Sequence, residues 1–484
     1  MKRKTRFAAT ALALMLSVGS LTACSSGNNK PAPSNSPNSN STSSPTDAGG
    51  AKDTITALLP PVSPNYQKNF KQMEEDFNKL YPNLTLKIEP ASWEDMTQKL
   101  DTQVNAGSPP DLAFINSEGI SKYAQMDMVM DISDAVTPEM VADFDEAPLS
   151  YMKKDGGLFG LPAYMEVHAI GGNKQFLEEA GIDWKKVQQE GWTYDQFREA
   201  IKKGVVQENG ATSRYGFVFA TSGVAARDYL GILVKNAGLP SPFTMDHKYT
   251  YTSKNFLEVL KAVRQMIDDG SMPKELSSVD AGKRWNMFLT GQTMITGKGL
   301  AVFENSANAN NKKIDANDGS AVANSVKVEY IVLPLPSFGE HKPVSHAVVD
   351  GYVAFRGKKA PTDEHKANVA KAAYFLASGQ TSATTNSDLF AAFITDSARK
   401  AAESMESTRN PDNIAAVDKM LENAAPARPD IPTDLGAKAI KVETEVIIPK
   451  LQALLANEIT PEQMHEAVTK AAIEAFGADG VVKE

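Results

Sequence analysis

From Asp53 onward the chain alternates short apolar runs with longer stretches whose apolar residues recur every three or four positions. Asp53–Leu59 reads as a strand, stopped by Pro60-Pro61. Between Tyr66 and Leu80 the residues Phe70, Met73, Phe77 and Leu80 fall on one face, which predicts an amphipathic helix. Tyr81-Pro82-Asn83 breaks it, and Leu84, Leu86 and Ile88 then alternate as a second strand. Ser92 is placed to cap the next helix, which Gly107-Ser108-Pro109-Pro110 ends. Asp111–Ile115 follows as a short buried strand. Strand, helix, strand, helix, strand predicts a mostly parallel sheet with helices on its faces. Ligands on such sheets bind beyond the carboxyl ends of the strands, here after Leu59 and after Ile115.

The alternation continues. Val167–Ile170, Tyr215–Phe219, Thr293–Thr296, Val328–Leu333 and Ala347–Phe355 are strand candidates. Helices are expected at Phe176–Ala180, at Thr193–Lys203 with a capping box from Thr193 to Gln196, at Phe256–Asp268, at Trp285–Leu289 and at Asn368–Ala377. The C-terminal portion reads as helical, with Pro461 in the first turn of one helix and Pro449 kinking another. No internal repeat is found, and the length from Asp53 to Glu484 suits two domains.

The first residues differ in kind. Lys2, Arg3, Lys4 and Arg6 precede an apolar stretch, Phe7–Val18, and then Leu21-Thr22-Ala23-Cys24. This is the pattern of a secretory signal, and the apolar stretch is shorter than the roughly 20 residues a membrane span needs. Leu21–Cys24 resembles a bacterial lipobox, which implies cleavage before Cys24 and a diacylglycerol on its sulfur; two acyl chains anchor stably where one is marginal. Cys24 is the only cysteine, so no internal disulfide is possible. Ser25–Gly50, rich in Ser, Asn, Pro, Gly and Thr, holds too little apolar surface to offset its ordering entropy. The expectation is a signal peptide over 1–23 and a lipid anchor with a flexible tether over 24–52.

Composition and motifs then exclude several classes. The net charge is −9 with both signs interspersed, and without a basic block nothing points to a nucleic-acid partner. No later run of about 18 apolar residues calls for a second membrane segment. Gly291 to Lys298 superficially suggests a phosphate loop but has too many residues between its glycines and no Ser or Thr after the lysine. No HExxH, GxSxG or Rossmann glycine pattern occurs. His341 and His346 lack further ligands nearby, and Asp315–Gly319 is one residue short of a calcium-loop spacing. Neither a metal nor a cofactor is expected.

Six segments, in order along the body, carry a resemblance: Tyr81–Ile88, Ala106–Leu112, Gly157–Pro162, Gly172–Gly181, Phe288–Ile295 and Leu451–Ala472. Together they resemble the bacterial extracellular solute-binding proteins of the maltodextrin-binding type. The resemblance implies an α/β, two-lobe periplasmic-binding-protein-like fold (type II) whose hinge has several chain crossings. By similarity these lie near Leu161–Glu166, Leu333–Phe338 and Thr381–Leu389, which divides the chain into a first lobe of 53–163 plus 337–385 and a second of 164–336 plus 386–484. It further implies a monomer outside the cytoplasm, anchored to the cell membrane through Cys24, that captures a carbohydrate and delivers it to the transmembrane permease subunits of an ABC importer. The chain departs from the family in lacking an aromatic residue over Ile295–Leu300 and in having Gly172 where the family has Tyr. The class of solute therefore stays open.

Asn116, Ser117 and Glu118 follow a buried strand and should emerge at the cleft, where an acid can accept hydrogen bonds from ligand hydroxyls. Tyr164 and Glu166 lie on the expected first crossing and are further ligand candidates by similarity; His168, two residues on, reads as structural. Trp93, Trp285 and Tyr352 are aromatic candidates, although Trp285, three residues before Phe288, also fits a core-facing stripe. Lys298 reads as a solvated lysine. The alternatives are a binding protein for a non-sugar solute and an anchored polysaccharide-active enzyme using Glu118 and Glu166 as paired carboxylates.

Overall fold

One nine-stranded sheet runs through the body. Its strands are β1 (Asp53–Leu59), β2 (Leu84–Pro90), β3 (Leu112–Asn116), β4 (Gly160–Asn173), β5 (Val206–Glu208), β6 (Ala211–Phe219), β7 (Thr293–Gly299), β8 (Tyr330–Leu333) and β9 (His346–Ala354). The order is β2-β1-β3-β9-β4-β7-β6-β5, with β8 paired to β4 off this path. β1 is parallel to β2 and β3, and β6 to β7, whereas β9 and β4 run antiparallel to their neighbours. The computed structural model describes residues 51–63, 65–93, 95–222, 225–405 and 408–483. The expected signal segment, Cys24 and the tether up to residue 50 lie outside the described residues.

Helix α1 (Tyr66–Leu80) buries Phe70, Met73 and Phe77, while Leu80, at the end of the expected stripe, is 56% exposed. Helix α2 (Met96–Ala106) starts later than expected, with Asp95 and not Ser92 at its N-cap. The Ser92 hydroxyl closes its own turn instead, donating to the Asp95 carboxylate at 2.8 Å and accepting from the Asp95 amide at 3.0 Å. The Thr193–Gln196 capping box forms at the start of helix α3 (Tyr194–Lys203), as does a second at Thr460 and Gln463. Pro449 acts as its chemistry requires. It lacks an N–H and crowds the preceding turn, and that turn, Glu443–Ile447, is widened to a π-helical one.

Apolar side chains gather in two large cores and a small third one. The first core takes residues from Ile55 to Tyr164 and again from Val349 to Ile394. The second takes residues from Ile170 to Phe338 and again from Ile431 to Val481. Strand β4 runs through both: Leu161, Ala163 and Tyr164 belong to the first core, Val167 and Ala169 to the small core, and Ile170 to the second. Its 14 residues span roughly 45 Å at ~3.3 Å each, so a single strand bridges the two halves.

The other two crossings lie later than expected. Leu333, Leu335 and Phe338 all pack in the second core, and the return to the first runs along β9. Helix Gly379–Leu389 stays with the first core, as do Ala391 and Ile394, and the chain reaches the small core only at Ala416. Prolines mark where a segment turns but not which core it turns towards.

β4 and β9 approach closely at Gly351. A Cβ there would lie 2.4 Å from the Leu161 carbonyl oxygen, a backbone atom that cannot swing aside. Gly351→Ala is expected to destabilise the fold by roughly 1–3 kcal/mol in urea unfolding. A change below about 0.5 kcal/mol would contradict this strand spacing.

Candidate functional site

A cavity of about 1280 Å³, its open mouth included, lies between the two large cores. The first core's side supplies Ser117, Glu118, Ser121 and Tyr151. Asn116 ends β3, and its side-chain oxygen accepts from the Glu118 amide at 2.8 Å, fixing the single 3-10 turn that carries Ser117 and Glu118 to the cavity. The second core's side is built on helix α4 (Ala225–Lys235) and helix α5 (Thr433–Val442). Arg227, Gly231 and Lys235, spaced by four residues, form one polar stripe of α4 that faces the cavity, while Ile232, Leu233 and Val234 pack in the core behind. His346, the first residue of β9, also lines the cavity. A Cβ on Gly231 would sit 3.1 Å from the His346 ring, so glycine lets α4 lie against the bridging strand.

The cavity's charges are ordered by pairing. Arg227 meets Glu443 at 2.7 Å. Burial opposes the Arg227 charge, but Glu443, Glu118 and Asp228 raise its pKa. Burial raises the pKa of Glu443, with Arg227 opposing and Glu118 reinforcing. Burial, then the Glu118 carboxylate, pushes the Tyr151 phenol up to about 12. The two halves touch at the rim. The Tyr151 hydroxyl donates to the Ala425 carbonyl and the Thr433 hydroxyl to the Asp155 carboxylate. Gly436 of α5 sits so near Ser121 that a Cβ would lie 2.7 Å from the serine oxygen.

Polar walls facing each other from two separately packed halves suit the capture of a small solute. The family described as bacterial extracellular solute-binding protein matches residues 60–411. The chain belongs to this family. A Brucella abortus protein described as a binding protein is 26% identical over 252 residues, which cover 52% of this chain and 58% of that relative's length. The arabinooligosaccharide-binding protein of Halalkalibacterium halodurans is 26% identical over 41% of this chain and 42% of its own. An ABC substrate-binding protein from Listeria monocytogenes, solved in complex with cycloalternan, superposes with a TM-score of 0.68 at 18% identity, covering 88% of this chain and 99% of its own.

Within this solute-binding protein the residues singled out from the sequence separate into groups. Ser117 and Glu118 line the cavity, with Asn116 holding their turn. Tyr164 and Tyr352 are 6% and 1% exposed and pack with Phe114 in the first core, so neither presents a face to the cavity. Trp93 is 40% exposed and stands edge-on to Phe114, outside the cavity wall. Trp285 packs with Phe288 and Phe303 against the small core. Glu166 is buried on β4 and faces a different, smaller cavity together with Arg409. Arg227, Lys235, Tyr251 and Glu443 were not singled out. The four-residue spacing of Arg227, Gly231 and Lys235 was the signal that could have marked the first two.

A second polar cluster occupies the hinge. Lys298 is not simply solvated: it pairs with Asp228 at 2.7 Å. His168 and His346 stack with ring centres 5.1 Å apart, and burial holds both well below the ordinary histidine range. The Tyr164 hydroxyl donates to Asp350 at 2.8 Å. Burial raises the Glu166 pKa to about 7, with Lys298 opposing and Asp350 reinforcing.

The folded state therefore keeps a proton on Glu166 that the unfolded chain releases near the ordinary value of 4.5. Stability from this group is full below that value and is lost as pH rises towards 7. Glu166→Gln is expected to raise the unfolding temperature at pH 8, by a stability gain on the order of 2–3 kcal/mol, and to leave it unchanged at pH 4. Thermal melts across that range measure this. An equal shift at both pH values would contradict a buried, protonated Glu166.

Proposed function

We propose that this chain captures an oligosaccharide outside the cell membrane by shutting its two lobes around it, then hands it to the transmembrane subunits of an ABC importer. The observation that carries the reading is the origin of the cavity walls: Ser117 and Glu118 come from one core, Arg227, Lys235 and Tyr251 from the other. A solute touching both walls gains contacts only when they are close. It therefore binds the shut form better and shifts the population towards it. Glu118 and Ser117 suit sugar hydroxyls, and the Tyr251 ring suits the apolar face of a pyranose or furanose. Membership of the family, the arabinooligosaccharide-binding relative and the cycloalternan-bound neighbour support a carbohydrate cargo.

The lobes in this reading follow the cores, 53–164 with 349–394 and 170–338 with 431–481. The protein acts as a monomer held to the membrane by lipidated Cys24, a part of the reading that rests on Leu21–Cys24 alone. The cargo leaves unchanged. Glu118 and Glu166 line separate cavities, so these two carboxylates do not flank one glycosidic bond.

A thermal-shift screen of neutral and acidic oligosaccharides tests the reading, since a ligand of the native state alone adds about 2.7 kcal/mol at a hundred times its Kd. At least one oligosaccharide is expected to raise the unfolding temperature without being cleaved. Glu118→Ala is expected to weaken it about tenfold or more in calorimetry. No shift with any saccharide, or the release of shorter products, would contradict capture without turnover.

A further inference from the structure

The protein as a whole is negative, at −9, yet its cavity is not. Lys153, Lys154, Arg227, Lys235 and Arg428 line it against the carboxylates of Glu118 and Glu443. Arg227 is tied to Glu443 at 2.7 Å, and Arg428 to Asp430 at 2.7 Å. Three cations are left: Lys153 is exposed, whereas Lys154 and Lys235, one from each half, are nine-tenths buried. Lys154 sits on the short ribbon of Lys153–Lys154 paired with Gly157–Leu158, whose Leu158 packs in the first core, and is 9% exposed. Lys235 ends α4, directly after the core residue Val234, and is also 9% exposed.

Neither ammonium has an ion-pair partner among the described residues. Lys235 donates only to the Pro240 carbonyl, at 3.0 Å, and Lys154 has no hydrogen bond there. The acids that act on Lys154, Asp155 and Asp430, are engaged elsewhere, the first with the Thr433 hydroxyl and the second with Arg428. Burial lowers the pKa of both lysines. Glu118 acts on Lys235 without forming a salt bridge to it, and a buried ammonium that makes no salt bridge is costly. The fold keeps one in each wall of the same cavity.

We infer that the cargo is an acidic oligosaccharide, a sugar chain bearing carboxylate or sulfate groups, whose negative charges settle between Lys154 and Lys235 while Glu118 accepts from its hydroxyls. This rests on the saccharide-capture reading and adds the sign of the ligand's charge. Each ammonium is a strongly hydrated point charge that loses water on burial, and an anionic group restores its hydrogen bonds in charge-assisted form.

Calorimetric titration of the full chain with four probes tests this: a galacturonate trimer for carboxylate, a carrageenan tetrasaccharide for sulfate, and maltotriose and arabinotriose as neutral chains. One charged probe is expected to bind at least tenfold more tightly than either neutral one, and which of the two does so names the anionic group. Its affinity is expected to fall about tenfold between about 20 mM and about 500 mM salt. Lys154→Gln should weaken it about tenfold or more, and Lys154→Arg should retain it. Lys235→Gln supplies the same test from the other wall. If a neutral probe binds as tightly as both charged ones and Lys154→Gln leaves charged binding within about twofold, the charge inference falls and saccharide capture stands. If no probe binds, both readings fall.

Discussion

The two hydrophobic cores stay separate because the strands that join them turn polar where they cross. Along β4, Tyr164 belongs to one core and Ile170 to the other, and Glu166 and His168 lie between. On β9, His346 pairs in register with His168, and Asp350 pairs with Tyr164. Buried charge must be partnered or neutral. The Lys298–Asp228 pair and the Tyr164–Asp350 bond supply partners, and burial keeps the two imidazoles uncharged. Val167 and Ala169 of the small core alternate with these polar residues along β4, and in the proposed reading the two halves change their angle about this stretch.

That separation is what gives the cavity its chemistry. Each half presents side chains held by its own packing: a 3-10 turn pinned by Asn116 on one side, a helix stripe backed by core residues on the other. At the rim α5 packs on the helix Ile120–Gln125, with Gly436 against Ser121, and two hydrogen bonds, Tyr151 to Ala425 and Thr433 to Asp155, also join the halves. Hydrogen bonds of that kind contribute about 0.5–1.5 kcal/mol each. In the proposed reading a ligand that bridges the walls adds a comparable amount and shifts the balance towards the shut form.

Local structure was legible in the sequence where local chemistry decides it. The stripe Phe70, Met73, Phe77 set α1 at Tyr66–Leu80, the Thr193 capping box stands where its spacing put it, and Pro461 sits in the first turn of its helix. Membership in a core was less legible. Tyr352 and Trp285 looked like cleft aromatics because an aromatic ring serves a core and a sugar equally well, and only packing separates the two uses. The crossings shifted because prolines near Leu333–Phe338 announce a turn without saying which hydrophobic surface lies beyond it. Glu118 was legible from its place after a buried strand, whereas Glu443 was not. Glu443 opens a π-helical turn, and its meeting with Arg227, far away in sequence, is a tertiary event.

The central claim is that the two cores move against each other and shut on a solute. Spin labels on Met126→Cys, at the end of the helix Ile120–Gln125 in the first half, and on Lys441→Cys, on α5 of the second half, report this directly by pulsed electron resonance in a chain carrying Cys24→Ser. The expected result is a broad or double distance distribution for the free protein that collapses onto its short component when a binding oligosaccharide is added. An identical distribution with and without bound saccharide would contradict the account.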